Sequence, residues 1–174
     1  MNTSHLILSS FLAVTVICSS DTTLAQSNRR PVGEKVAQIL AGVDEDIVKQ
    51  FGKAWSDSRL GNNRPEAVVL IYRLTDGRYR GEFHGGTNEY GQSTFKWVRS
   101  AVAIVHTHPQ CFSPEPTAQD RRVAEKLGVP IFTITAKGMY VYDPATREIS
   151  LVQEYLDWID PSKWKAGSFG IAVR

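Results

Sequence analysis

The sequence has few cysteines, no long apolar run and no block of like charge. Its 174 residues include two cysteines, Cys18 and Cys111, of which the first lies in the N-terminal segment discussed next. One remaining cysteine excludes an internal disulfide framework. The formal net charge is only +2, from 20 basic and 18 acidic residues. A nucleic-acid-binding surface normally shows a clearer basic stripe, so we expect no nucleic-acid partner. The chain is too short for a TIM barrel, but its 42% hydrophobic residues can form a packed core.

The first 25 residues have the features of a bacterial signal peptide. Residues 1–25 contain no Lys, Arg or Glu, and the apolar stretch from Leu6 to Cys18 is short for a membrane span. Thr23 and Ala25 supply small residues at the minus-three and minus-one positions of a cleavage site. We therefore expect cleavage after Ala25, a periplasmic or secreted location, and no membrane span in the mature chain. An uncleaved N-terminal anchor is the alternative.

Apolar periodicity predicts helices first, then mixed β and α structure. Between Gly33 and Trp55, apolar residues recur at steps of three and four, which predicts one amphipathic helix or two helices that break near Gly42. Asp44 is the predicted N-cap of the second helix. Later predicted elements are strands 67–72, 79–83 and 101–105, helix 117–127, strands 131–135 and 139–142, and a short helix 151–159, with a loop over 85–93.

These elements predict one α+β domain with a mostly antiparallel sheet flanked by helices. We divide the chain into a signal peptide (1–25), an N-terminal helical segment (26–64), a core (65–150), and a C-terminal helix and tail (151–174). No feature of the sequence addresses the oligomeric state.

The residues suited to chemistry follow the strand 101–105. His106 and His108, at i and i+2 of a strand, project from one face, and Pro109 ends the strand. Two imidazoles suit a metal ion, and a hydrolytic zinc site needs a third protein ligand. Asp120 is the best candidate for it, because it lies three residues after Thr117 on the same face of the next predicted helix.

A structural interpretation competes with the metal site. A His-x-His pair by itself is a weak signal that often occurs without metal. The run Thr117-Ala118-Gln119-Asp120 is also typical of a capping box, in which both side chains serve only the helix terminus. The combination of a strand, His-x-His-Pro, a loop and Pro-Thr-x-x-Asp opening a helix favours the metal site.

These motifs resemble the signature of the JAMM (MPN+, JAB-like) metallopeptidases. That signature is a Glu on an early strand, then His-Ser/Thr-His-Pro, then Ser-x-x-Asp opening a helix. The runs 106–109 and 116–120 resemble its last two elements, and Glu66 fits the position of the Glu, with Glu82 as the competitor. The resemblance covers roughly residues 66–144 and is strongest to the JAB-like domains of bacterial Rhs-type toxins. The sequence departs from the signature in two ways: Thr117 replaces the Ser, and eight rather than seven residues separate it from His108.

The resemblance implies a JAB/MPN-like fold with cytidine-deaminase-like layering, and a mechanism. One Zn²⁺ would be held by His106, His108 and Asp120 and would activate water. Glu66 would act as general base, and Thr117 would help to stabilise the oxyanion. The expected substrate is a peptide or protein whose amide or isopeptide bond is hydrolysed.

Three further residues are weaker candidates for substrate contacts or a secondary role. His84 is an alternative ligand or a loop histidine, Cys111 a nucleophile or a partly buried thiol, and Trp97 part of the cleft or of the core. The second hypothesis for the whole domain is a non-catalytic JAB-like binding module, or a toxin- or immunity-associated one. The complete set of Glu, two His and Asp favours the enzyme.

Overall fold

A mixed six-stranded sheet with helices on both faces organises the fold. The computed structural model describes residues 5–9, 32–62, 66–86, 92–165, 167 and 169, with only the backbone of 5–9 and 92–94. The elements are β1 (His5–Ser9), α1 (Glu34–Ala41), α2 (Glu45–Asp57), β2 (Ala67–Arg73), β3 (Tyr79–Gly86), β4 (Gln92–Lys96), β5 (Ala101–Thr107), α3 (Ala118–Leu127), β6 (Ile131–Thr135), β7 (Gly138–Asp143), β8 (Glu148–Glu154) and a 3-10 helix (Asp157–Ile159).

The main sheet has the strand order β3-β2-β5-β6-β7-β8. Its neighbouring strands are antiparallel except β5 and β6, which run parallel. The chain crosses between those two strands through α3, because parallel neighbours cannot be joined by a tight hairpin. The predicted α+β class and the mostly antiparallel sheet are therefore confirmed.

Each face of the sheet has its own apolar core. Along β2, Val69 and Ile71 pack with the residues of α1 and α2, whereas Val68 and Leu70 pack with Val123 of α3. Successive side chains of a strand point to opposite faces, so a strand that is covered on both sides must be apolar throughout. This explains the continuous apolar run that predicted β2.

The helix boundaries follow the predicted capping residues. The N-terminal helical region is split at Gly42, and the Asp44 side chain accepts a hydrogen bond from the Ile47 N–H at 2.9 Å. Helix α3 begins after Thr117 and ends at Gly128, whose φ of 67° lies in the left-handed region that favours glycine. The break and both ends of α3 are confirmed.

The helix predicted over 151–159 is wrong. Residues 148–154 instead form β8, which pairs antiparallel with β7 and places Tyr142 beside Ile149. Only a single turn of 3-10 helix follows it. Pairing with the free edge of β7 satisfies the backbone of this segment, so tertiary context overrides its weak local helical signal.

The ends of the predicted 85–93 loop belong to strands. Strand β3 continues to Gly86, β4 begins at Gln92, and residues 87–91 lie outside the described ones. Strand β4 pairs antiparallel with β1 in a separate two-stranded sheet. Apart from the backbone of β1, the predicted signal peptide lies outside the described residues. Among the residues that are described, no helix is long and apolar enough to cross a membrane.

Candidate metal centre

Four ionisable side chains meet where β5 ends, β2 begins and α3 starts. Because β2 and β5 are antiparallel and Val68 faces His106, the residue that precedes β2 lies beside the end of β5. Glu66, His106, His108 and Asp120 are all buried, with 2% or less of each residue exposed. The competing carboxylate, Glu82, is exposed on β3, where it accepts a hydrogen bond from Arg80 at 3.2 Å.

The two imidazoles turn the same ring nitrogen toward one point. Nε2 of His106 lies 2.9 Å from Nε2 of His108. On the other side of the His108 ring, Nδ1 lies 2.8 Å from the Ser113 carbonyl oxygen. A carbonyl only accepts, so Nδ1 carries a proton, and Nε2 of the neutral ring presents a lone pair to the site. Metal-ligating histidines are commonly oriented by such a backbone acceptor.

Asp120 serves the helix cap and faces both rings at once. Its Oδ1 lies 3.6 Å from Nε2 of His106, and its Oδ2 lies 3.6 Å from Nε2 of His108. Oδ2 also accepts hydrogen bonds from the backbone N–H and the hydroxyl of Thr117, at 2.6 and 2.7 Å. The capping box is therefore present, and it holds the carboxylate against the histidines. The two interpretations of Asp120 are compatible.

The Thr117 hydroxyl is already engaged. It has one proton, which it donates to Asp120, and its oxygen accepts from the Asp120 N–H at 3.2 Å. To stabilise an oxyanion, the hydroxyl would have to release Asp120. The oxyanion role of Thr117 stays a prediction.

The spacing of these groups fits a metal ion. Ligand atoms about 2.0–2.1 Å from a tetrahedral zinc lie about 3.3 Å from one another. The Nε2 atoms of the two rings lie 2.9 Å apart, and Asp120 approaches them with two different oxygens, Oδ1 at 3.6 Å from His106 and Oδ2 at 3.6 Å from His108. Glu66 also offers an oxygen that lies, with a ring nitrogen from each histidine, in a group spanning at most 4.8 Å. The family resemblance implied only a base role for Glu66, whereas its position also lets it serve as a ligand of a metal ion held by the histidines.

Burial and mutual charge shift the protonation of the cluster. Burial raises the pKa of Glu66 to about 7 and lowers the pKa of His106 to about 4. Burial opposes the charged forms of the other two groups, yet the His106 and His108 rings lower the pKa of Asp120, and the carboxylates raise that of His108. A carboxyl group with a pKa near neutrality, next to ligands of this kind, is suited to exchange protons.

The three weaker candidates lie in different surroundings. His84 lies on β3, so the expectation of a loop histidine is wrong. Its Nε2 is 3.8 Å from Glu82 and, among the described residues, is buried without a hydrogen-bond partner. Cys111 is exposed in the loop after His108, so the expectation of a partly buried thiol is wrong. Trp97 packs against the core on the α3 side of the sheet. Their proposed roles in substrate contact stay predictions.

Two hydrogen bonds around the cluster, each between a side chain and the backbone, were not predicted from the sequence. The Ser113 carbonyl orients His108, and the Thr107 hydroxyl accepts from the Ala67 N–H at 3.0 Å. A backbone carbonyl accepts whatever its side chain is, so the residue type at position 113 carries no signal for this contact.

Comparisons with known proteins add no relative to this picture. The chain matches no protein-family model, no curated protein and no solved structure. The case for a metal centre therefore rests on the geometry of the four buried side chains and on the motif around them.

Proposed function

We propose that the protein is an exported, zinc-dependent hydrolase that cleaves an amide or isopeptide bond in a peptide or protein. The observation that carries the proposal is the convergence of Glu66, His106, His108 and Asp120 in one buried cluster. Two imidazoles and a carboxylate are a common ligand set of hydrolytic zinc sites, which keep a further position open.

The residues of the cluster would have different roles in such a reaction. A zinc ion at this site would supply a Lewis acid that lowers the pKa of water to near 7. Glu66, buried beside the histidine pair, would accept a proton from that water and return it to the leaving amine. Thr117 would keep the Asp120 carboxylate in place.

The JAB-like fold family and the export belong to the same proposal. The His-Thr-His-Pro run at the end of β5, the crossover through α3 and the Thr-x-x-Asp run at its start support the family. Residues 1–25 support a periplasmic or secreted location. N-terminal sequencing of the mature protein tests the export: we expect the chain to begin at Gln26, and an intact Met1 would contradict cleavage.

The deciding experiment separates metal binding from turnover. Zinc content and cleavage of a fluorophore-quencher peptide library would be measured for the parent protein and for Glu66→Gln, His108→Gln and Glu82→Gln. We expect Glu66→Gln to retain one zinc and lose turnover, and His108→Gln to lose both. Glu82→Gln, a matched exposed carboxylate on β3, should behave as the parent. Unchanged turnover in Glu66→Gln would remove Glu66 as the base.

A non-catalytic JAB-like binding module, or a toxin- or immunity-associated one, is the second candidate. The complete capping box favours it, because Asp120 already has a structural use at the start of α3. A parent protein that binds no zinc, even when zinc is supplied, would favour this module over the enzyme.

A further inference from the structure

We infer that Thr107 and Gln110 are positioning residues that hold Glu66 against the histidine pair, an inference that rests on the proposed function. Glu66 lies outside the regular ladder, whose first pair between β2 and β5 joins Val68 to His106. The chain enters β2 at this point, so contacts that fix the backbone beside Glu66 help to set the direction of its side chain.

Thr107 fixes the peptide group that follows Glu66. Its Oγ1 accepts a hydrogen bond from the Ala67 N–H at 3.0 Å, and neither residue has exposed surface. That N–H belongs to the peptide unit joining Glu66 to Ala67, so the bond sets the orientation of the unit from which Glu66 projects. A buried N–H that lost this acceptor would cost about 1–3 kcal/mol.

Gln110 holds the turn at residues 59–61, which precedes Glu66 in the chain. Its backbone N–H donates to the Gly61 carbonyl and its Nε2 donates to the Leu60 carbonyl, both at 2.9 Å. Arg59, Leu60 and Gly61 form a left-handed turn, with φ of 53°, 57° and 74°. Non-glycine residues adopt this conformation only when their surroundings impose it.

Thr107 and Gln110 therefore lie in the same segment, 106–110, that carries both histidines. Thr107 acts one residue after Glu66, and Gln110 acts on carbonyls five and six residues before it. A displacement of residues 106–110 would move the histidines and the carboxylate together. Metal and catalytic centres need such supporting hydrogen bonds, because these keep the side chains that contact metal or substrate in position.

Cobalt(II) is the probe for the test, because its visible spectrum reports the geometry and ligands of its site. The mature protein would be loaded with Co²⁺ as parent, Glu66→Gln, Thr107→Val and Thr107→Ser. We expect Thr107→Val to shift the spectrum in the direction of Glu66→Gln and, like that variant, to weaken Co²⁺ binding about tenfold while one ion is still bound at saturation. Thr107→Ser keeps the hydroxyl and should restore the parent spectrum and affinity.

Thr135→Val is the matched control. The Thr135 hydroxyl is also buried and bonds to the backbone, accepting from the Lys137 N–H at 3.1 Å and donating to the Gly138 carbonyl at 3.2 Å, in the β6–β7 hairpin. Loss of this hydroxyl should lower stability and leave Co²⁺ affinity within about twofold. Equal effects of Thr107→Val and Thr135→Val on Co²⁺ binding would reduce Thr107 to a general stabilising role and overturn the inference.

The outcomes distinguish this inference from the proposed function. A parent protein that binds neither Co²⁺ nor Zn²⁺ overturns both. Tight Co²⁺ binding with a parent spectrum in Thr107→Val overturns the inference and leaves the metal centre standing. Should Thr107→Val not accumulate as folded protein, Gln110→Met provides the second variant, since Gln110 is exposed and the change removes its side-chain amide but keeps the backbone bond to Gly61. It should shift the spectrum in the same direction, and an unchanged spectrum would contradict the inference.

Discussion

Asp120→Ala separates the two uses of Asp120, because a helix cap and a metal ligand respond differently to zinc. In metal-free buffer the change leaves the backbone N–H and hydroxyl of Thr117 without their acceptor. The N-cap bond from the backbone N–H of residue 120 to the Thr117 hydroxyl survives the change, and each of the two half-buried donors that lose their acceptor costs about 1 kcal/mol. We therefore expect Asp120→Ala to lower the free energy of unfolding by about 2 kcal/mol without metal.

The stabilisation by zinc is expected to differ most between the parent protein and Asp120→Ala. At a free zinc concentration of 100 times the Kd, binding stabilises the folded parent protein by about 2.7 kcal/mol. For a chain of this length that raises Tm by about 5–10 °C. If Asp120→Ala weakens the site a hundredfold, the same zinc concentration adds only about 0.4 kcal/mol, or about 1 °C.

The assay is thermal unfolding of the tag-free mature protein at pH 7.5, in a chelator and in buffered zinc. Asp44→Ala is the control, because Asp44 caps α2 by accepting from the Ile47 N–H and lies outside the cluster. It should lose stability in both buffers and keep the full zinc-induced rise in Tm. An equal rise in Asp120→Ala and the parent would refute Asp120 as a ligand and leave it only as the cap of α3.

Two further predictions concern Glu66 and the β6–β7 turn. In metal-free protein, burial raises the pKa of Glu66 to about 7 from the ordinary 4.5, so the folded state binds the proton more tightly. The free energy of unfolding should therefore fall by about 3 kcal/mol as pH rises from about 4.5 to 7. Urea unfolding of Glu66→Gln should lack this contribution. Parallel plots of unfolding free energy against pH for the parent and Glu66→Gln would contradict the assignment. Gly138 has φ +130°, and an added Cβ would meet the Gln153 carbonyl, whereas Gly77, at φ +86°, faces open space. In the same assay, Gly138→Ala should lower the free energy of unfolding by at least about 3 kcal/mol, and Gly77→Ala by about 1 kcal/mol. Equal losses in the two variants would contradict the close packing of β7 on β8.

The sequence by itself determined the elements whose signals are local. The break near Gly42, the cap at Asp44 and the end of α3 at residue 127 each depend on a few neighbouring residues, and all three appear in the structure. The i, i+2 spacing of His106 and His108 likewise predicted that their rings share a face, and their Nε2 atoms lie 2.9 Å apart.

The tertiary structure decided what depends on partners far along the chain. Sequence left Glu66 and Glu82 in competition, and the antiparallel register of β2 with β5 buries Glu66 beside the histidines while Glu82 stays exposed. The segment 148–154 became a strand because β7 offered it a free edge. The contact of Thr107 with the Ala67 N–H exists because the ladder between β2 and β5 ends there. Strand register and sheet edges arise from long-range backbone pairing, which short-range periodicity does not encode.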